Sequence, residues 1–436
     1  MKVLIAIHGF PPTYYAGSER AAERIAQWLL EHGHHVEVFT CEKLDDPNTR
    51  VETSTENGIV IHRLYYDLKA GDYFQNLYDD PRVGDAFQDV LDQNTFDIVH
   101  VVSGYLLGGQ VIHRAKAAGL PVILTLTEFW FMCYRLNLLT VNNEMCIGPE
   151  TDEKCMRCVL EDQRRYRLPA ERVPAVMDAF WGVAKHARFA KGHTATVARR
   201  REVLMTALEA VDLVICPSQF IMSKFQEYNF NTSQFVHLRH GLKQPPKKFQ
   251  PSANQGTLRL GYTGQIKPHK GVDLIIDAVI PLLESGENVS LDIWGSKAGS
   301  PAYGDELEAQ TKNYPAIRWE GSYNSGQLWD VLSTLDILIV PSRWYENSPT
   351  VILEAQTFGL PVITTRLGGM QELVQHEKSG LLFELNNAKD LRTQIQRLLR
   401  EPNLLAQLRA GIPKVPTIDD EVGEIYARYQ QLTGKE

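Results

Sequence analysis

Short apolar runs alternate with helical patterns along the first half of the chain. An apolar run at residues 2–7 is followed at 18–32 by apolar side chains at helical spacing, which end before Gly33. Strand and helix patterns alternate again through residues 97–127, and a further apolar run follows at 211–217. Because Val- and Ile-rich strands that alternate with helices form parallel sheets covered on both faces, we expect a doubly wound α/β domain.

A polar stretch containing several prolines interrupts this alternation and reads as a linker at residues 244–256. Beyond it the alternation of strand and helix restarts, which predicts a second doubly wound domain. The predicted organisation is an N-terminal domain at 1–243, the linker, a second domain at 257–415, and a C-terminal helical segment at 416–436 that packs back on the first domain. Ligands of such sheets bind beyond the carboxyl ends of the strands, so we expect the site between the two domains.

Size and composition support this organisation and exclude several function classes. The chain has 436 residues, more than one hydrophobic core usually supports, and 44% of them are apolar. A net charge of −8 argues against nucleic-acid binding. The first apolar run is too short for a signal peptide, and no run approaches the length of a bilayer span. We expect a cytoplasmic protein, with peripheral association at the inner face of the membrane left open.

Residues 346–354, Glu-Asn-Ser-Pro-Thr-Val-Ile-Leu-Glu, follow a predicted strand and begin a helix. Ser348 is expected as the N-cap residue and Pro349 as the first helical residue, where its missing N–H costs nothing. The unpaired N–H groups of a helix start attract anions, above all phosphate. Carboxylates would repel phosphate, so Glu346 and Glu354 are expected to accept hydrogen bonds from sugar or ribose hydroxyls.

The spacing of Glu346 and Glu354 resembles the signature of the family 4 retaining glycosyltransferases, the glycosyl transferases group 1 of the GT-B fold. Three further segments resemble motifs of the same family and occur in the same order. These are the loop that carries Gly17, the Gly-Lys-rich loop at residues 261–271, and the second glycine turn at 368–372. The resemblance implies two Rossmann-like doubly wound domains that face each other across a cleft, with the acceptor on the first and the donor on the second.

The resemblance also implies an activity and roles for single residues. A hexose-type sugar would pass from a UDP-sugar or GDP-sugar to a glycan or a lipid-linked glycan, with retention of configuration and with no metal needed. Glu346 and Lys270 would be the catalytic residues, the first on the sugar hydroxyls and the second on the diphosphate. The implied donor-binding residues are Gly17, Gly264, Gln265, Lys270, Glu346, Asn347, Ser348, Pro349, Thr350, Val351 and Glu354.

Two positions depart from the family pattern. Many members have an arginine where Gln265 stands, so Lys267 would have to compensate or transfer would depend more on Lys270. Relatives commonly carry His-Asp where this chain has Thr127-Glu128, at the end of the strand predicted at residues 121–127. On the acceptor side, Thr127 is expected to contact the donor or only to cap a turn, and Glu128 to meet the acceptor.

Two other functions stay open because of these departures. A nucleotide-sugar epimerase of the same fold would need acid and base groups, for which Glu128 with His8 or His240 would serve. A non-catalytic protein that binds a nucleotide sugar or a glycan is favoured by Gln265 and Thr127. A dinucleotide oxidoreductase is disfavoured, since no G-x-G-x-x-G follows the first strand.

Four of the six cysteines fall within one segment, at Cys133, Cys146, Cys155 and Cys158. The last two form a C-x2-C knuckle, which places two thiolates on one tetrahedral ion. We expect the four to bind a structural zinc ion, because four thiolates fill its coordination sphere. Free thiols, disulfides and an iron–sulfur cluster are the alternatives. The segment would belong to an insertion at residues 128–205, beside the acceptor side.

Residues 163–201 are strongly basic, with ten Lys and Arg against two acidic residues and aromatic side chains among them. One hypothesis is a surface for an anionic acceptor or for an anionic membrane face. The alternative is a solvated pair of helices held by salt bridges.

Overall fold

The computed structural model describes residues 1–246 and 256–435, so residues 247–255 of the predicted linker lie outside the described residues. The chain divides into two compact units. Unit 1 consists of Met1–His240 together with Ile418–Glu436, and unit 2 consists of Gly241–Thr417.

The described part of unit 1 contains an eight-stranded sheet with the order β3-β4-β2-β1-β5-β6-β7-β8. All neighbours pair in parallel except β3 and β4, which are antiparallel. The strands are β1 (Lys2–Ile7), β2 (His35–Lys43), β3 (Asp45–Glu56), β4 (Ile59–Asp67), β5 (Ile98–Val102), β6 (Val122–Thr125), β7 (Leu213–Cys216) and β8 (Phe235–His237).

The helices that cover this sheet pack against it through apolar faces. In the first helix, for example, Ala22, Ile25 and Leu29 lie on the buried face and join the core formed by the central strands. The helices are α1 (Gly17–Glu31), α2 (Tyr73–Asn76), α3 (Pro81–Gln93), α4 (Gly108–Ala117), α5 (Asp152–Glu161), α6 (Arg164–Arg172), α7 (Pro174–Ala184), α8 (Arg188–Ala210) and α9 (Gln219–Glu227).

Unit 2 contains a sheet with the order β11-β10-β9-β12-β13-β14, parallel throughout the described residues. This is the doubly wound order in which the first strand of the unit lies at the centre. The strands are β9 (Leu258–Thr263), β10 (Val289–Trp294), β11 (Ile317–Gly321), β12 (Ile337–Val340), β13 (Val362–Thr365) and β14 (Gly380–Phe383). The helices are α10 (Val272–Glu284), α11 (Pro301–Thr311), α12 (Leu328–Ser333), α13 (Thr350–Phe358), α14 (Gly368–Leu373), α15 (Ala388–Arg400) and α16 (Leu404–Ala410), with 3-10 turns at Pro268–Lys270 and Ser325–Gln327.

The C-terminal helix α17 (Ile418–Thr433) belongs to unit 1. Its Asp419 accepts a hydrogen bond of 2.8 Å from the indole of Trp28 on α1. Its Tyr429 is fully buried, and the Tyr429 hydroxyl lies 2.6 Å from Nδ1 of His100 in β5. Burial lowers the pKa of His100 to about 3, so this imidazole is neutral and forms part of the core of unit 1.

Some elements differ from the sequence expectations. The antiparallel pair β3 and β4 was not expected, because β3 is polar and mostly exposed at the sheet edge. The strand expected at 121–127 ends at Thr125, so Thr127 lies in the loop that follows. Between β6 and β7, α5 to α8 surround a small apolar core of their own that includes Met156, Leu160 and Trp181. None of the helices in the described residues combines the length and the apolar character that crossing a membrane requires.

Candidate functional site

The loop between β12 and α13 holds the Glu346 side chain in a fixed position. Its Oε1 atom accepts hydrogen bonds from Lys270 Nζ at 2.6 Å, from the Trp344 indole at 2.7 Å and from the Ser342 hydroxyl at 2.9 Å. Lys270 Nζ also lies 4.9 Å from the centroid of the Trp344 ring. All three bonds end on one oxygen, and within the described residues nothing is hydrogen-bonded to Oε2 of Glu346. One carboxylate oxygen is therefore available to accept a ligand hydroxyl.

The surroundings of Glu346 keep its carboxyl group ionised. Burial alone would raise the pKa, but the charge and hydrogen bond of Lys270, together with the bonds from Ser342 and Trp344, outweigh burial and hold the pKa below its ordinary value. The neighbouring His269 behaves in the opposite way. Burial, and then the charge of Lys270, lower the pKa of His269 to about 4, so its ring is neutral and packs edge-on against Trp344 at 5.2 Å.

The position of Lys270 depends on the glycine that follows it. Lys270 ends the 3-10 turn after β9, and Gly271 has a φ of +73°, which favours glycine. A Cβ atom at Gly271 would lie 2.2 Å from the carbonyl oxygen of Pro341. This close approach brings the turn against the loop after β12. The backbone N–H of Arg343 then donates to the carbonyl of His269 at 2.8 Å, which ties the two loops together.

Helix α13 begins one residue later than the sequence predicts. Pro349 has a ψ of 112°, which is extended backbone, so it is the N-cap residue and Thr350 is the first helical residue. The expected N-cap role of Ser348 is therefore wrong, because the side chain is one residue too far from the helix. Its Oγ atom is buried and has no hydrogen-bond partner in the described part of the chain. Such a hydroxyl, beside N–H groups that the helix leaves unpaired, suits a ligand that carries anionic oxygen atoms.

The second glycine turn lies against the same loop. Gly369, in the first turn of α14, donates its N–H to the carbonyl of Glu346 at 2.9 Å. A Cβ atom at Gly369 would lie 1.6 Å from the carbonyl oxygen of Asn347, so this position has room only for glycine. The glycine turn therefore holds the backbone at Glu346 and Asn347 in place.

The remaining predicted donor residues of unit 2 are spread around this centre. Gly264 follows β9 directly and has a φ of +150°. Gln265 is exposed, and its carbonyl oxygen accepts a hydrogen bond of 2.7 Å from the Tyr262 hydroxyl. Lys267 forms no ion pair within the described residues. Glu354 lies inside α13 and is 5% exposed, while Val351 occupies the helix's first turn.

The predicted residues of unit 1 lie at the carboxyl ends of its central strands. Gly17 begins α1, and a Cβ atom added there would meet nothing within 4 Å. Glu128 accepts a bond of 2.8 Å from the Ser103 hydroxyl and another from the hydroxyl of Thr127. Burial raises the pKa of Glu128 despite these bonds. The Thr127 hydroxyl is thus engaged by its own neighbour, whereas His8 lies 3.3 Å from the carboxylate of Glu19.

The four clustered cysteines line one cavity of about 320 Å³ in unit 1. Cys133, Cys146, Cys155 and Cys158 are all half-buried free thiols. Across the described residues, no set of three or more His, Cys, Asp or Glu side chains forms a group that could hold a metal ion. The thiols thus share a cavity without being drawn together around one point, and the zinc ion stays a prediction.

Two residues that fix Glu346 were missed in the sequence. Ser342 and Trp344 lie four and two residues before Glu346, and both donate to the same oxygen atom. The only available signal was their position in the short segment between a predicted strand and the helix, where functional side chains concentrate.

Two families of known proteins match the parts of the chain that carry these features. The family described as glycosyl transferases group 1 matches residues 243–415, and the glycosyl transferase 4-like domain matches residues 16–144. The chain carries a group 1 glycosyl transferase domain. The family predicted from the glutamate spacing and the glycine loops is thereby confirmed.

Relatives of this group 1 glycosyl transferase share parts of its sequence. It is 30% identical over 158 residues to D-inositol 3-phosphate glycosyltransferase of Streptomyces bingchenggensis, covering 34% of each chain. It is 28% identical over 141 residues to the glycogen synthase of Thermus thermophilus, which covers 32% of this chain and 31% of that one. An uncharacterized glycosyltransferase of Methanocaldococcus jannaschii is 28% identical over 196 residues, or 44% and 51% of the two chains. The matches span about a third to a half of the length of these curated relatives.

Solved structures resemble the group 1 glycosyl transferase over nearly its whole length. The structure of Anabaena Alr3699/HepE in complex with UDP and glucose has a TM-score of 0.61 and 16% identity, covering 99% of this chain and all (100%) of that one. Sucrose-phosphate synthase from Thermosynechococcus elongatus has a TM-score of 0.65 and 18% identity, covering 100% of each chain. At these identities the likeness establishes the fold, and the predicted GT-B fold with two doubly wound sheets is confirmed.

Proposed function

We propose that this glycosyltransferase moves a hexose-type sugar from a UDP-sugar or GDP-sugar to a hydroxyl of a glycan or a lipid-linked glycan. The observation that carries the proposal is the Glu346 carboxylate, which is fixed through Oε1 and has Oε2 available, beside a helix start with the unpartnered Ser348 hydroxyl. An ionised oxygen suits sugar hydroxyls, and the helix start suits a diphosphate. The structurally similar Anabaena protein has also been solved in complex with UDP-glucose, which supports the proposal that the donor is a nucleotide sugar.

In the proposed reaction the acceptor hydroxyl replaces the nucleoside diphosphate at the anomeric carbon, with retention of configuration. Negative charge grows on the departing diphosphate, and the Lys270 ammonium group with the first-turn N–H groups of α13 stabilises that charge. Lys267 supplies the second cation where Gln265 brings none. Glu346 holds the sugar so that its anomeric carbon faces the acceptor, and Glu354 binds the ribose. No step in this scheme requires a metal ion.

A panel of nucleotide sugars tests the proposal. The protein is incubated with UDP- and GDP-sugars, with and without acceptor extracts, and release of the nucleoside diphosphate is measured. Release that depends on the extract is expected for one donor, and the anomeric coupling constant of the product is expected to match that of the donor sugar. Binding without release would contradict transfer and favour a binding protein. A donor isomerised while still attached to its nucleotide would favour an epimerase.

The Ser348→Ala variant separates ligand binding from folding. Removal of a buried hydroxyl that has no partner is expected to leave the thermal stability of the free protein unchanged or slightly higher, because no hydrogen bond is lost. If the hydroxyl donates to the diphosphate, the donor KM rises about three- to tenfold, the value of one hydrogen bond. Steady-state kinetics and a thermal melt measure the two effects. Ser325→Ala, an exposed serine of the same unit, is the matched control, and an unchanged KM in Ser348→Ala would contradict the contact.

We also propose that Cys133, Cys146, Cys155 and Cys158 bind a structural zinc ion, since all four thiols line one cavity. The thiols would have to move toward one another to do so. Metal analysis of protein purified without chelators is expected to find about one zinc ion per chain, as a tetrathiolate site requires. Cys155→Ser with Cys158→Ser is expected to lose the metal, and Cys216→Ala, outside the cavity, to keep it. Metal-free wild-type protein would contradict the proposal.

A further inference from the structure

Helix α7 presents apolar side chains to solvent as well as to the protein. Met177, Trp181 and Ala184 lie on its inner face and belong to the small core of α5 to α8. On the outer face, Val176 is 63% exposed, and Val183 is 77% exposed. Phe180, which lies between them in sequence, is 40% exposed. A helix that is apolar on both faces is normally covered on both, so the outer face of α7 is expected to be covered by something other than this part of the chain.

The apolar face continues beyond the two ends of α7. Val173, just before the helix, is 46% exposed, and Phe189, just after it, is 43% exposed. Of the large hydrophobic side chains that are exposed in the described residues, more than half fall within residues 173–189. We call Val173, Val176, Phe180, Val183 and Phe189 the outer stripe.

Cations surround the outer stripe, and most of them have no carboxylate partner. Arg172 precedes α7, whereas Lys185 and Arg188 follow it. Of the ten Lys and Arg side chains in residues 163–201, only Arg167, to Glu171 at 3.9 Å, and Arg201, to Asp152 at 3.0 Å, form ion pairs within the described chain. Arg200 is buried over the Trp130 ring. The exposed cations that remain without a carboxylate partner in the described residues are Arg164, Arg165, Arg172, Lys185, Arg188, Lys191 and Arg199.

Tyr166 links the cations of α6 to the outer stripe. Its ring stacks with that of Phe180, with centroids 6.4 Å apart, and the Arg165 guanidinium lies 4.7 Å from the centroid of the Tyr166 ring. Basic groups thus lie beside the apolar stripe as well as at both ends of α7. A salt-bridged, solvated surface would need acidic partners that residues 163–201 do not supply.

We propose that the outer stripe and its cations bind the surface of an anionic lipid bilayer. Apolar side chains enter the boundary between head groups and acyl chains, while Lys and Arg remain at the level of the anionic head groups. A second copy of the chain is a poorer occupant, since it would bring the same positive charge to the same place. A nucleic acid matches the cations but not the exposed Val and Phe side chains.

Sedimentation with vesicles tests the proposal in the full-length protein. Vesicles of phosphatidylcholine are compared with vesicles that contain about a third phosphatidylglycerol, at low and at high salt. The protein is expected to sediment with the anionic vesicles, to remain in solution with the neutral ones, and to lose binding as salt rises. Equal sedimentation with both kinds of vesicle, or none with either, would overturn the proposal.

Two double variants separate the roles of charge and apolar surface. Lys185→Gln with Arg188→Gln is expected to weaken binding to anionic vesicles by about tenfold or more, and Val176→Gln with Val183→Gln by about tenfold. All four side chains are exposed, so thermal melts are expected to match the wild type. Full binding by the valine variant would contradict insertion of the outer stripe and indicate adsorption through charge alone.

Matched controls change exposed groups elsewhere in the chain. Lys312→Gln with Lys389→Gln removes two exposed lysines from unit 2, and Tyr73→Gln with Ile147→Gln removes two exposed apolar side chains from unit 1. Both controls are expected to bind anionic vesicles as the wild type does, and equal losses in them would overturn the assignment to α7. The proposal does not depend on the donor or on catalysis, so inactive Glu346→Gln protein is expected to bind the vesicles fully.

Discussion

Glu346→Gln is expected to lower the rate of sugar transfer by about a hundred- to a thousandfold, the scale found when one preorganised polar group is removed from an active site. Glutamine keeps the shape of the side chain but brings no negative charge to the sugar hydroxyls. It also leaves Lys270 without the anion that lies 2.6 Å from its Nζ atom. The measurement is the turnover number with saturating donor and acceptor.

The chain offers a matched control for this variant. Glu308 also forms an ion pair with a lysine, Lys297, at 2.8 Å, but both side chains are exposed on the surface of unit 2. Glu308→Gln is expected to keep the wild-type turnover number, and both variants to keep the wild-type circular dichroism spectrum. A Glu346→Gln protein that transfers sugar at the wild-type rate would remove Glu346 from the mechanism.

Lys270→Met is expected to reduce kcat/KM for the donor by about a hundredfold or more, because an uncompensated diphosphate charge then forms in the transition state. The same variant has a second effect with a definite sign. Burial raises the pKa of Glu346, and Lys270 is the main group that opposes burial. Without Lys270 the pKa of Glu346 rises, so Glu346 takes up a proton at a higher pH. The acidic limb of the pH–rate profile is therefore expected to shift to higher pH.

The pH profile distinguishes this mechanism from a general loss of structure. Lys297→Met removes an exposed lysine that pairs with Asp305 and Glu308, and is expected to leave both the rate and the acidic limb unchanged. An acidic limb that stays in place in Lys270→Met would show that the limb does not report Glu346. An unchanged kcat/KM would instead contradict the role of Lys270 on the diphosphate.

Buried parallel strands were the easiest part of the fold to predict. Strand β1 has the bounds expected from its apolar run, because a strand covered on both faces is apolar at nearly every position. The polar strand β3 carried no such signal. It pairs with β4 at the edge of the sheet, where one face and one edge meet solvent. Backbone hydrogen bonds to β4 place β3 in the sheet, and the pattern of apolar and polar side chains does not predict such bonds.

The sequence identified residues of the candidate site, but it did not predict the contacts between them. Glu346 and Lys270 were assigned to different parts of the donor, and the contact between them depends on how Gly271 packs against Pro341. These two loops are 70 residues apart in the sequence, and a single glycine is the one residue whose identity reflects their close packing. The helix start was misplaced by one residue, because proline is favoured at the first helical position, whereas the ψ of 112° at Pro349 leaves this proline just outside the helix.

The return of α17 to unit 1 affects the order in which the chain can fold during synthesis. Unit 2 is one continuous stretch, Gly241–Thr417, and all of it is synthesised before α17. Unit 1 at that moment lacks Tyr429, the partner of the buried His100, and it lacks the Asp419 carboxylate that bonds to Trp28. The whole sequence of unit 2 is therefore made before that of unit 1 is complete, and unit 1 can finish its core only after α17 has been synthesised.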